Sequence, residues 1–283
     1  MKRFANWLFY GVLIAVCLWG IAPAFAQTAK RLPDGGTARA GGSGIVQAYY
    51  VAPTTRYAHG VLGDAIEAGG LAVRDASGKQ HVLMLPDSAV FEDITPRLAD
   101  LNGDGGAEVI AVKAYLNRGA ALVVYGVRGG ELVRIAETAP IGRPARWLNP
   151  AGIADFNGDG RPEIAIVKTP HIGGRLEFWR LGGDRLSRLG ALDGFSNHVI
   201  GSRALGLSAI VDVNGDGIRD LVLPSADRMH LVAVSLAGGR TRILGRVALP
   251  APVTGNLSGS ARAVSGGLAG GKRISVPLSD LGG

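Results

Sequence analysis

Cysteine is almost missing from this chain. Among 283 residues the only one is Cys17, inside an apolar N-terminal stretch. A disulfide framework and a cysteine-built zinc or iron–sulfur centre are therefore excluded. Aromatic residues are sparse, at 6%, and charged residues reach only 19%. The net charge is +7, yet it is carried by scattered arginines with no block of five or six like charges. Nucleic-acid binding wants a basic stripe interleaved with stacking aromatics, and the sequence has neither. Signatures of catalysis are also lacking: there is no G-x-S-x-G, no H-E-x-x-H, no P-loop and no cysteine nucleophile. The five histidines, His59, His81, His171, His198 and His230, do not fall at metal-ligand spacing.

Only one apolar run approaches bilayer length, from Phe4 to Ala26, so no membrane span is expected elsewhere. Met1-Lys2-Arg3 precedes it, and Pro23 followed by Ala24-Phe25-Ala26 closes it. A basic start, an apolar middle and a small-x-small end make residues 1–26 a secretory signal peptide, with cleavage after Ala26. The other reading is an uncleaved anchor helix. Loss of Lys2 and Arg3 leaves a mature charge of +5. The protein is thus expected outside the cytoplasm, in the periplasm or fully extracellular.

Glycine is abundant: 44 residues, enough for many tight turns between short strands. The clearest pattern among them is an internal repeat. Asp100-Leu-Asn-Gly-Asp-Gly-Gly-Ala-Glu108 recurs as Asp155-Phe-Asn-Gly-Asp-Gly-Arg-Pro-Glu163 and as Asp212-Val-Asn-Gly-Asp-Gly-Ile-Arg-Asp220, at spacings of 55 and 57 residues. Each copy sets oxygen side chains at loop positions 1, 3, 5 and 9 and glycine at position 6. Calcium takes about 6–8 oxygen ligands in flexible geometry, and alternate residues of a tight loop can turn their oxygens onto one ion. The predicted ligands are Asp100, Asn102, Asp104 and Glu108; Asp155, Asn157, Asp159 and Glu163; and Asp212, Asn214, Asp216 and Asp220. The position-7 carbonyls of Gly106, Arg161 and Ile218 complete each set. Magnesium, with its small octahedral shell, suits such a loop less well. An EF-hand is excluded because position 12 is Ala111, Ile166 or Leu223 instead of glutamate, and short β-type runs follow each loop. Metal-free Asx turns are the competing account of any single copy; three copies favour calcium, three ions in all.

The copies stay in step downstream. Strands are expected at 121–125, 176–180 and 231–234, then Gly-Gly turns, then strands at 132–135, 186–189 and 242–244. Each unit is an antiparallel meander that buries its faces only against sister sheets. Units of this size and strand content point to an all-β fold, a β-propeller of about five blades, with four or six as alternatives. Residues 27–44 read as a flexible lead-in and 45–283 as the propeller, in units of about 57–85, 91–135, 146–190, 198–244 and 248–283. The run 45–51 is a candidate for a strand that closes the ring by completing the last unit.

The D-x-N-G-D-G-x-x-[ED] loop followed by a short hydrophobic strand resembles the FG-GAP/VCBS-type repeat of integrin α-subunit propellers and exported bacterial proteins. The resemblance covers three units closely and two loosely. It implies a propeller stiffened by calcium and a role in adhesion or recognition, with a protein or carbohydrate partner. Arg146 and Arg203 each lie nine residues before the first loop aspartate of their unit. In a ring of repeats, equivalent positions share one mouth. With Trp147, His171 and His198 they form the predicted ligand site, and Glu92, Asp93, Arg97 and Asn149 could join that funnel. The alternative function is a hydrolase acting on glycans or phosphoesters from the funnel. Its acid/base pair would come from Glu92 with Asp93 or from Asp64 with Glu67, because loop carboxylates on calcium are held ionised.

Overall fold

The computed structural model describes residues 29–282. The signal-peptide reading of residues 1–26 lies outside them. No helix of the described residues is long and apolar enough to cross a membrane.

Among the described residues, twenty strands fall into five successive antiparallel units. The first holds β1 (Ala38–Arg39), β2 (Ile45–Thr54), β3 (Glu67–Asp75) and β4 (Gln80–Met84). A short bridging strand, β5 (Ala89–Phe91), pairs with both β3 and β7 and so joins it to the second unit. That unit comprises β6 (Arg97–Ala99), β7 (Glu108–Tyr115), β8 (Gly119–Arg128) and β9 (Glu131–Glu137). The third, β10 (Leu148–Ala154), β11 (Glu163–Lys168), β12 (Arg175–Gly182) and β13 (Arg185–Asp193), is a four-stranded meander in sequence order. The fourth repeats that order in β14 (Ala209–Val211), β15 (Asp220–Pro224), β16 (His230–Ser235) and β17 (Arg242–Ala248). The last has three strands, β18 (Val253–Gly259), β19 (Ala263–Leu268) and β20 (Arg273–Pro277).

The apolar runs after the loops become central strands because both of their faces are covered. Successive side chains of a strand point to opposite sides. Val109 and Ala111 of β7 join a core shared with the first unit, while Ile110 and Val112 join one shared with the third. In β11, Ile164 and Ile166 face the second unit, and Ala165 and Val167 pack with Leu221, Leu223 and Val232 of the fourth. Sheet stacks on sheet, and each interface is a separate core. The first strands β1, β6, β10, β14 and β18 give residues to the wall of one shared central cavity, which also contains Arg39 and Arg97. Gly152 and Gly259 let these strands approach. A Cβ on Gly152 would come within 2.8 Å of Ile210 Cδ1, and one on Gly259 within 2.2 Å of Val211 Cγ1.

Two details differ from the sequence reading. The run 45–51 does not complete the last unit. It is part of β2, which pairs with β1 and β3 and places Ile45, Ala48 and Tyr50 in the first interface core. Part of the stretch expected as a flexible lead-in is hydrogen-bonded: Leu32 is buried, its N–H donates to Tyr50 O at 3.0 Å, and β1 pairs with β2.

Candidate functional site

The loops 100–107, 155–162 and 212–219 join the first strand of a unit to the second. In an antiparallel meander the second-to-third connections, and those between units, leave from the opposite end. At that opposite end the segments 55–66, 138–147, 169–174 and 194–208 converge on a cleft of about 330 Å³. Its walls include His59, Val61, Ala145, Arg146, Trp147, Thr169, His171, Ile172 and Ile200.

Three of the five predicted ligand residues, Arg146, Trp147 and His171, therefore line one cleft. His198 stands directly behind: His171 Nε2 and His198 Nδ1 are 2.9 Å apart, and His198 Nε2 lies 2.8 Å from Ser202 O. A carbonyl can only accept, so His198 carries its proton on Nε2 and accepts on Nδ1. His171 must then donate through Nε2, which leaves its own Nδ1 unprotonated. Burial holds both rings neutral, pulling His171 down to about 4 with help from His198 and Arg228, and lowering His198 against the opposing Ser202 carbonyl. Trp147 stacks near-parallel to His171 and meets His198 edge-on with centroids 4.8 Å apart. Its indole N–H donates to Glu92 O at 2.9 Å. Because Trp147 is only 2% exposed, it forms a packed floor instead of an open aromatic platform. The Arg146 guanidinium reaches only the neighbouring Ala145 carbonyl, at 2.9 Å, and the side chain is partly exposed.

Arg203 is placed elsewhere. It forms ion pairs with Asp34 and with Asp64, the latter at 2.5 Å, and does not line the cleft. Asn149 ties the third unit to the fourth through the carbonyls of Asn197 and Leu205. Asp93 is buried, accepts from Tyr50 and pairs with Arg97. Glu92 is buried beneath the cleft with its Oε1 2.6 Å from His59 Nδ1. Burial raises Glu92, and His59 opposes that rise. Glu67, also buried, is pushed up to about 9 by burial and by the neighbouring Glu92, Asp64 and Asp93.

Sequence reasoning missed His59, Thr169, Ile172 and Ile200. None carries a repeat signature, and the segments that present them differ in length from unit to unit. Backbone strain marks the site independently. Four non-glycine residues among those described have positive φ, and two of them, Ala145 at 50° and Thr169 at 48°, line this cleft. Such conformations cost about 1–3 kcal/mol and collect at functional sites.

At the other end, each loop is organised by its first aspartate. Asp100 accepts from the N–H groups of Gly103, Asp104 and Gly105 at 2.7–3.2 Å. Burial acts to raise its carboxyl, but these donors prevail and hold it low. Asp155 likewise accepts from the N–H groups of Gly158, Asp159 and Gly160, and Asp212 from those of Gly215 and Gly217. The position-9 carboxylates close the loops from behind, taking N–H bonds from Leu101, Phe156 and Val213. Burial raises Glu108, Glu163 and Asp220 alike. Among the described residues, no three His, Cys, Asp or Glu side chains converge as a metal-binding group. Two features nonetheless fit a cation. Asp220 Oδ1 is buried without a hydrogen-bond partner. In the first loop, Asn102, Asp104, Gly106 and Glu108 border an open polar cavity.

Stacked antiparallel sheets whose first strands share one cavity define a β-propeller, here with three Asp/Asn/Gly loops at one end. Residues 100–166, spanning the first two loops, match the FG-GAP-like repeat. No curated protein matches the chain. Among solved structures, BamB from Moraxella catarrhalis is 14% identical, with a TM-score of 0.51 over 88% of this chain and 62% of that one. Sqt1 from Saccharomyces cerevisiae, also 14% identical, gives 0.49 over 77% and 56%. The rhamnogalacturonan lyase YesW, 14% identical, gives 0.44 over 88% and 60%. This chain thus spans between 56% and 62% of the length of these structures.

Proposed function

We propose that this chain is an exported β-propeller that recognises a protein segment through the cleft of His59, Arg146, His171, Ile172 and Ile200, while calcium stiffens loops at the opposite end. The observation that carries the reading is the company Arg146 keeps. Ile172 and Ile200, 59% and 67% exposed, stand at the same cleft as this partly exposed cation, which has no acidic partner among the described residues. Exposed aliphatic side chains around a polar anchor mark a surface that excludes water when a partner docks. The best-suited ligand has an apolar side chain to lie between the isoleucines and a carboxylate to meet Arg146. A sugar would need an open aromatic face, and Trp147 offers none. Calcium would be held by Asn102, Asp104, Glu108 and the Gly106 carbonyl in the first loop, and by Asn214, Asp216, Asp220 and the Ile218 carbonyl in the third. Its chemistry there is charge compensation; the carboxylates it gathers would otherwise repel.

Panning a displayed random-peptide library on the full chain tests the recognition reading. Enriched peptides should pair an aliphatic or aromatic residue with an acidic one. Ile172→Asp and Arg146→Glu should each weaken their binding about tenfold or more, since a buried aliphatic side chain contributes about 1.5–3 kcal/mol. Peptides that bind both variants as tightly as the parent would rule out this cleft.

A further inference from the structure

The three loops face one problem, the second oxygen of a buried position-9 carboxylate, and each meets it differently. Strand register identifies the residue across from that carboxylate. Val109 pairs with Tyr125, Ile164 with Trp179 and Leu221 with Val234. One step further along, Glu108, Glu163 and Asp220 therefore face Gly126, Arg180 and Ser235. In the first unit Gly126 has no side chain, Glu108 Oε1 takes only the Asn102 amide at 2.8 Å, and the space beside it stays open. In the third, no well-formed hydrogen bond reaches the buried Asp220 Oδ1, and the only group across from it is the short, neutral Ser235 hydroxyl. In the second, the Arg180 guanidinium fills the place. Its two terminal nitrogens donate to Asp159 Oδ2 at 2.5 Å and Oδ1 at 2.9 Å, and one of them also donates to Glu163 Oε1. Glu163 is fully buried there, and Arg180 is mostly shielded from solvent.

We infer that Arg180 is the resident cation of the second loop, so that this propeller binds two calcium ions, in the first and third loops, and not three. The inference rests on the calcium reading of those two loops. A guanidinium and a calcium ion both need the same oxygens of Asp159 and Glu163, and the planar fork of arginine grips Asp159 through both oxygens. Calcium could enter only by displacing a tethered cation already at full local concentration. The second loop would then stay closed when calcium is scarce, while the first and third loosen.

Calorimetric titration of the chelator-treated full chain with calcium chloride decides this. The parent should bind two ions. Asp104→Asn and Asp216→Asn should each remove one, and Asp159→Asn none. Arg180→Ser, which copies the third unit, should bind one ion more than the parent, whereas Arg180→Lys should leave the count unchanged. Thermal unfolding in EGTA adds a readout: Arg180→Ser should melt below the parent there and recover in excess calcium. Three ions in the parent, a site lost in Asp159→Asn, or an unchanged count in Arg180→Ser would overturn the assignment of Arg180 while leaving calcium binding in place. No calcium in any variant would overturn the calcium reading and this inference with it.

Discussion

Glu67 opens β3 close to Glu92, Asp64 and Asp93, and its replacement by glutamine should stabilise the protein. The carboxyl is 1% exposed, and its Oε1 is buried with no hydrogen-bond partner. Burial, followed by Glu92, Asp64 and Asp93, raises its pKa from 4.5 to about 9. A raised carboxyl is neutral in the folded chain but ionised in the unfolded chain across that interval. Its contribution is therefore fully present below pH 4.5 and is lost progressively up to pH 9. Each pH unit in the interval is worth about 1.4 kcal/mol, which sets an upper bound of about 3 kcal/mol at pH 7. Relaxation and polarisation around the group reduce the realised penalty to about 1–2 kcal/mol. Glutamine keeps the shape and donor capacity of the protonated acid and cannot ionise. Glu67→Gln should thus raise stability by about 1–2 kcal/mol at pH 8 and leave it nearly unchanged at pH 5, or about 2–4 °C per kcal/mol in Tm. Urea unfolding of both proteins at the two pH values measures this, and the histidine titrations common to both cancel in the difference. Equal destabilisation at both pH values would mean that Glu67 is ionised and paired in the native state, refuting the argument.

Calcium should raise Tm by several degrees over EGTA, and magnesium at the same concentration should not, as differential scanning calorimetry would show. Acidification from pH 6.5 to 4 should weaken the fold through His171, whose folded pKa is depressed: its contribution is whole above pH 6.5 and lost as pH falls. Because the ring is half-buried, solvent screening limits this to about 1–2 kcal/mol, and His171→Leu should flatten that part of the pH–stability profile in urea titrations. Gly174→Ala should cost about 2 kcal/mol or more in chemical unfolding. Gly174 has φ +41°, and its Cβ would lie 1.5 Å from Phe195 O, breaking the hydrogen bonds that fix the His171 loop to the following connection.

Strand and loop organisation was open to sequence reasoning because it is local and repeated three times. Asp100, Asp155 and Asp212 each organise their own loop through N–H groups three to five residues away, so their role follows from spacing alone. The runs after each loop, such as Val109–Val112 and Ile164–Val167, are apolar without alternation, as strands covered on both faces must be. Position in the repeat failed where long-range pairing intervened. Arg146 and Arg203 are equivalent in sequence, yet Asp34 and Asp64 of the first unit capture Arg203 and leave Arg146 at the cleft. Trp147 belongs to the predicted ligand site, but the packing of His171, His198 and the Glu92 carbonyl around it makes it a buried floor. The sequence alone determined the repeat, its loops and an all-β stack of about five sheets, with four or six left open, because hydrophobic period and turn chemistry act within a few residues. Only the tertiary structure decided that His59, Arg146, His171, Ile172 and Ile200 share a cleft and that Arg180 enters a loop in one unit of three. Those outcomes depend on contacts across different segments and strands, and no short window of sequence encodes them.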